Sequence, residues 1–414
     1  MTYIKEIIAS YKDNGQLDAF GRLKVAEPQT LFDAQFTYDL QPLVYEAVAP
    51  AGASITHDST NRRASIALSA AAAGTSTFLQ SYEYFRYQPG KSQEVNITFD
   101  FGAAVTDVKC FAGYGDASNG IFFSQLGTGV LQFEIITGTG VGNQTASQST
   151  WNIDKLDGTG VSGKTLDITK DQILYLDFQA LYVGRVRYGF VIDGVLCLAH
   201  EFDNANAFTS PYIQNANLPI KVGMTNTGAG TVTKTMYFNC CMVASNGGID
   251  EAVGYEFSTP DTAVTAGNGT RTHLVSVRPR TTFNSITNRS KLASLELDLL
   301  VLGNNPVYWE LVIGQAFGAG AGTPTWANIN ATYSAFQYGV GGTLSGAPSL
   351  VIDSGYVPAS ASTKGSTSMK VTDRYPITLD VSGAVRTMGT LTLLVTGLGA
   401  ASACRAVLKH KEIR

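Results

Sequence analysis

Residues Gly158 to Thr165 read Gly-Thr-Gly-Val-Ser-Gly-Lys-Thr, which fits the phosphate-cradling pattern G-x4-G-K-S/T at every position. Such a loop works because a buried strand delivers it and a helix leaves it, so that backbone N–H groups and the helix dipole converge on phosphate. Neither flank provides this. Ser149 to Asp157 is polar, and Leu166-Asp167-Ile168-Thr169 is β-like. Ile173 to Asp177 imitates the strand that would carry a metal-binding carboxylate, but it follows too closely for a helix to intervene. The spacing predicts a Gly-rich loop and no nucleotide-binding site.

The other reactive residues are scattered. His57, His200, His273 and His410 share no metal spacing, and the pair His200-Glu201 closes a strand. Cys110, Cys197, Cys240, Cys241 and Cys404 form neither a disulfide framework nor a C-x-x-C pair, so free thiols and no metal or cofactor are expected. No G-x-S-x-G elbow occurs. Glycosidases need only two carboxylates, at any spacing in the chain. Asp100, Asp107, Asp116, Asp177, Glu296, Asp298 and Glu310 are nominal candidates, and most alternate with apolar residues as the outward face of a strand does. Tyr82, Tyr84, Phe85 and Tyr87 crowd around Arg86 with both side-chain parities filled, which suggests one core face and one interface face.

The elements that must position these groups are almost all strands. Val95, Ile97, Phe99 and Phe101 alternate with polar residues, and Asp193-Gly194 between two apolar runs predicts a tight hairpin. Strands follow at short intervals without helical crossovers, so the expected class is all-β, as two jelly-roll-like β-sandwich domains. Ser245 to Gly248 divides them, giving sandwiches at 51–246 and 247–414. The Gly/Ala/Ser/Thr stretches 317–325 and 339–348 read as exposed loops of the second. Before the sandwiches, Ile4, Ile7, Ile8 and Tyr11 recur at helical spacing and predict a short helix. Residues 16–50 then read as an extended arm studded with Leu17, Phe20, Leu23, Val25, Leu31 and Phe32, so that 1–50 is a docking segment.

Composition narrows the role. The 414 residues include 29 Lys+Arg and 33 Asp+Glu, or 15 % charged, against about 25 % in an ordinary soluble protein. The net charge of −4 argues against nucleic-acid binding, and no apolar run approaches the roughly 20 residues that cross a bilayer. Met1 to Glu6 carries no secretory n-region. An apolar share of 44 % is enough for large cores.

Several segments resemble a family of virion structural proteins from tailed bacteriophages. They are Asp18-Ala19-Phe20-Gly21-Arg22-Leu23-Lys24-Val25 with Thr30-Leu31-Phe32-Asp33, Tyr84-Phe85-Arg86-Tyr87-Gln88-Pro89-Gly90-Lys91-Ser92, and Trp151-Asn152-Ile153-Asp154-Lys155-Leu156-Asp157-Gly158-Thr159-Gly160. The hairpin Gly189 to Gly194 adds to them. The resemblance implies a non-enzymatic part of the particle exterior (head decoration, collar, tail or fibre), made in the host cytoplasm. Docking would fall to Ile4, Ile7, Ile8, Tyr11, Phe20, Leu23, Val25, Leu31 and Phe32, with Tyr82, Tyr84, Phe85 and Tyr87 at an interface. The expected partners are other copies, as a trimer, and other virion proteins. A host surface glycan is the expected partner in the alternative reading, an adhesin.

Overall fold

Alternation governs the burial. In the strand Ser92–Asp100, Val95, Ile97 and Phe99 are fully buried while Asn96 and Thr98 are half-buried. The computed structural model describes residues 17–25, 28–179, 181–248, 254–359, 366–367 and 375–414. The helix expected over Ile4, Ile7, Ile8 and Tyr11 lies outside these. The described helical turns are 3-10 turns of three residues each.

The described residues up to Gln41, with Ala47–Gln80 and Phe85 to Gly248, form one unit. Its strands are β1 Gln29–Gln35, β2 Tyr45–Val48 (from Ala47 on), β3 Ala53–Asp58, β4 Arg63–Ala71, β5 Ser76–Ser81 (as far as Gln80), β6 Ser92–Asp100, β7 Val108–Gly115 and β8 Gly120–Gln125. They continue with β9 Leu131–Ile136, β10 Gln144–Ser147, β11 Gln172–Phe178, β12 Val186–Ile192, β13 Val195–Phe202, β14 Ile220–Asn226 and β15 Val232–Asn246. One sheet has eight strands in the order β13-β12-β11-β6-β15-β4-β3, with β1 also on β15; the other has seven, β10-β9-β8-β7-β14-β5-β2. Their inner faces meet through rings. Phe123 on β8 lies 5.9 Å from Phe99 on β6 and 5.0 Å from Phe190 on β12. The expected hairpin forms: Ile192 pairs with Val195, and Asp193 and Gly194 take φ of 51° and 73°. Both left-handed conformations are what a two-residue turn of this hand needs.

The second unit takes Pro42–Glu46, Ser81–Tyr84 and Gly254 onward. Its strands are β16 Tyr255–Ser258, β17 Thr262–Ala266, β18 Thr272–Pro279, β19 Thr282–Phe283, β20 Ile286–Thr287, β21 Lys291–Val301 and β22 Val307–Ile313. After them come β23 Thr325–Asn328, β24 Phe336–Val340, β25 Leu350–Val357, β26 Ser366–Thr367, β27 Leu391–Gly397 and β28 Ser402–Ile413. A five-stranded sheet containing β28 and β21 packs on a six-stranded one ordered β23-β24-β18-β27-β22-β25. Leu295, Leu297 and Leu299 from the first join Val275, Trp309, Leu311 and Leu393 from the second in a single core. The all-β, two-sandwich class read from sequence is thus the class observed.

Two expectations about boundaries need correction. The arm 16–50 is extended but not free: Gln29 to Gln35 pair with Ser245 to Cys240 inside their own sandwich. Satisfying a strand's backbone donors and acceptors within the chain outweighs leaving them to solvent or a partner. Likewise Pro42–Glu46 and Ser81–Tyr84, expected in the arm and the first sandwich, belong to the second unit. The Glu46 carboxylate accepts the Val381 N–H at 2.8 Å, and Lys291 pairs with Glu83 at 2.5 Å. The loops 317–325 and 339–348 are also held to each other. They zip together through Gly318 N–H to the Thr343 carbonyl and Thr343 N–H to the Gly322 carbonyl, both 2.8 Å.

Candidate functional site

On the outward face of the eight-stranded sheet, the register lines up charged residues across four strands. Glu94 on β6 pairs with Asp177 on β11, Asp177 with Arg187 on β12, and Arg187 with Glu201 on β13. Paired positions in an antiparallel ladder point the same way, so these side chains form one row. Asp177 and Arg187 are 0 % and 1 % exposed and ion-paired, and Asp177 also accepts from the Ser92 hydroxyl.

The row is covered by residues 17–25. Asp18 shapes this segment into a turn: its carboxylate accepts from the N–H groups of Phe20 at 2.9 Å and Arg22 at 2.8 Å, and Leu17 bridges Leu23. From the turn, Lys24 Nζ reaches Glu94 at 2.7 Å, the Tyr175 hydroxyl at 2.7 Å and Asp177 at 4.0 Å. Arg187 donates to the Leu17 carbonyl, and Arg185 donates to the Ala19 carbonyl at 3.0 Å. Burial, and then the Asp177 and Glu94 charges, push the Tyr175 phenol far up, so it stays a donor to Asp177 at 3.1 Å. Two carboxylates side by side could serve acid–base chemistry, but both are already engaged by fixed cations. The arrangement is a polar seat for a peptide segment.

This seat orders the predicted docking residues in an unexpected way. Phe20 is half-buried beneath the Arg22 guanidinium at 4.6 Å, whereas Leu23 and Val25 are 53 % and 88 % exposed. Leu31 and Phe32 are half-buried on β1, and the Phe32 ring lies 4.6 Å from Phe85. Sequence reasoning chose the apolar residues of the segment and missed Asp18, Lys24, Arg185 and Arg187, which hold it. The signal available was the polar half of the Asp18–Val25 motif. Of the seven nominal carboxylates only Asp177 enters this network, and its neighbour Glu94 was not among them. Glu310 is clamped by Arg271 at 2.6 and 2.7 Å, and Asp298 by Lys409 at 2.6 Å.

The aromatic cluster Tyr82, Tyr84, Phe85 and Tyr87 is not an exposed interface, and that expectation is corrected. Tyr84, Phe85 and Tyr87 are at most 6 % exposed. In the second unit, Arg386 lies 3.6 Å over the Tyr82 ring and Arg289 4.7 Å over Tyr84. In the first, Tyr87 stacks 6.1 Å from Phe178 and donates to the Lys91 carbonyl at 2.8 Å. Each ring finds a partner in its own chain, which removes the cost of leaving it in water.

Gly158 to Thr165 closes into a loop by the Asp157–Thr165 bridge, and turns rather than a helix follow it. Asp154 fills the cradle. Its carboxylate accepts the N–H groups of Leu156 at 2.8 Å and Ser162 at 2.7 Å, and a Cβ on Gly160 would fall 1.9 Å from it. Lys164 is taken by Asp193 at 2.6 Å. In the second unit His273 Nε2 lies 2.8 Å from Ser276 Oγ, which is 2.8 Å from Thr392 Oγ1. Ser276 and Thr392 are wholly buried, so this hydroxyl chain fastens β18 to β27 and meets no reactant.

No protein-family model matches the chain, and no curated protein matches it. Similar solved structures include the Crh5 transglycosylase (13 % identity, TM-score 0.34, covering 56 % of this chain and 91 % of that one). A legume lectin-like domain from Entamoeba histolytica is similar at 11 % identity and TM-score 0.32, over 53 % of this chain and 98 % of that one. A glycosyl hydrolase family protein from Mycobacterium fortuitum gives 10 %, 0.34, 52 % and 99 %. At these scores the likeness carries no activity or ligand to this chain. The expectation of a non-enzyme is nonetheless corrected, since a transglycosylase and a glycosyl hydrolase are among the structures the chain is similar to.

Proposed function

We propose that this chain is a structural component of a tailed-bacteriophage particle, set on the exterior of the head, collar or tail, and that it joins its neighbours through its N-terminal segment. Its partners in this reading are other copies of itself, as a trimer, and other virion proteins. The motif resemblance of Asp18 to Val25 and of the segments around Tyr84 and Trp151 supports it. The observation that carries it is the inverted seating of residues 17–25: polar groups face the sandwich, while Leu23 and Val25 face outward. Large apolar side chains held in water by a fixed scaffold gain about 1.5–3 kcal/mol each when a partner covers them.

The test is incorporation. Particles assembled with Leu23→Glu/Val25→Glu protein, or with residues 1–25 deleted, are expected to lose this chain while the free protein keeps its far-ultraviolet β spectrum. Normal incorporation of both variants would end the proposal.

A further inference from the structure

We infer that Lys24 and Asn96 are the precursors of an isopeptide bond that the first unit forms within itself, with Glu94 as the proton relay. This goes beyond the assembly reading and needs no reactant from outside the chain.

Strand geometry places the groups on one face. Glu94 and Asn96 are two residues apart on β6 and point the same way, and Asn96 stands opposite Tyr175 across the ladder to β11. The segment 17–25 brings Lys24 to them. One carboxylate then holds both ends of the bond to be made: Lys24 Nζ donates to Glu94 Oε2 at 2.7 Å, and Asn96 Nδ2 donates to Oε1 at 3.0 Å. Tyr175 fixes the ammonium beside this pair, its hydroxyl accepting from Nζ at 2.7 Å and its ring centroid 5.2 Å away. The Lys24 and Glu94 side chains are 17 % and 12 % exposed, so little water reaches them.

An ammonium cannot attack an amide, but an amine can. Passage of a proton from Nζ to Oε2 along their hydrogen bond leaves a neutral amine beside a neutral acid, and exclusion of water favours the uncharged forms. The Nζ lone pair then adds to Asn96 Cγ, so that the Nζ–Cγ bond forms and the Cγ–Nδ2 bond breaks. Nζ keeps one of its three protons, and the other two pass by way of Glu94 to Nδ2, which leaves as ammonium. Nothing is oxidised or reduced. Holding the two groups on one carboxylate replaces a bimolecular encounter, which in well-oriented pairs is worth an effective concentration of about 10⁵–10⁸ M. Engagement of Glu94 by Lys24 closes the site to outside reactants and sets up this internal one. The product ties the segment to β6 covalently and fixes the seat that turns Leu23 and Val25 outward.

The test weighs the full-length protein, purified without denaturant, by intact mass spectrometry and then maps its tryptic peptides. The expected mass is that of the sequence less one ammonia. The digest should hold one branched peptide joining Lys24 to Asn96, because trypsin does not cut after an acylated lysine. Lys24→Arg, Asn96→Ala and Glu94→Gln should each restore the full sequence mass, with unchanged far-ultraviolet spectra. Lys109, Glu134 and Gln132 make the same kind of contacts on the other sheet, but with Lys109 27 % exposed, so that trio is the internal control and should stay unlinked. A wild-type mass equal to that of the sequence, a branch at any other pair, or Glu94→Gln protein that still carries the branch overturns the inference. Leu23→Glu/Val25→Glu protein should carry the link whether or not it enters particles, so this inference and the assembly reading fail separately.

Discussion

Asp177 shows most directly how a single residue holds the seat for residues 17–25. Removing its charge leaves Arg187 buried at 1 % exposure with its ion pair gone. Breaking one side of a buried pair typically costs about 3–5 kcal/mol. Asp177→Asn is therefore expected to shift the first urea transition by that amount, measured by tyrosine and tryptophan fluorescence. Asp154 plays the same part for the Gly158–Thr165 loop. Asp154→Ala uncaps the Leu156 and Ser162 N–H groups and is expected to cost about 1–3 kcal/mol, with faster amide exchange confined to residues 155–165. A nucleotide added at millimolar concentration should restore neither.

Among the elements, β1 separates two truncations that sequence alone treats as equivalent. Deleting residues 1–25 takes away the cover of the charged row but no strand. Deleting 1–35 also removes β1 and strips Cys240 to Ser245 of their pairing on that side. An unpaired strand edge invites association with other chains. The shorter deletion should remain monodisperse by light scattering, and the longer one should aggregate. Strands with strict alternation, such as β6 and β21, were legible because burial of one face imposes a period of two. β1 was not: it follows Pro28, carries a register shift between Thr30 and Phe32, and buries only Ala34 fully. With so little periodicity, its apolar residues read as an arm.

For the molecule as a whole, acid is the condition that should separate folded from unfolded. His200 sits 7 % exposed against Phe133 and Phe202, and burial lowers its pKa from 6.5 to about 4. Between those values the unfolded chain binds a proton that the folded one refuses, so stability falls as pH drops through about 6.5 toward 4. The loss amounts to about 1–3 kcal/mol in the first unit. Burial lowers the His273 pKa as well, which adds a loss of the same sign in the second unit. Thermal unfolding across pH 7 to 4 should show both, and His200→Phe should flatten only the first.

The sequence by itself determined the all-β class, the Asp193-Gly194 turn and the failure of Gly158–Thr165 to be flanked as a phosphate loop must be. Each of these is written in local periodicity, turn chemistry or neighbouring residues. Tertiary structure alone decided that Lys24 meets Glu94 across 70 positions, that Arg187 reaches back to Leu17, and that the Lys221 ammonium lies over the Phe78 ring. Those groups are brought together by strand register, which depends on every pairing in the sheet at once and leaves no mark on the residues near them in the chain.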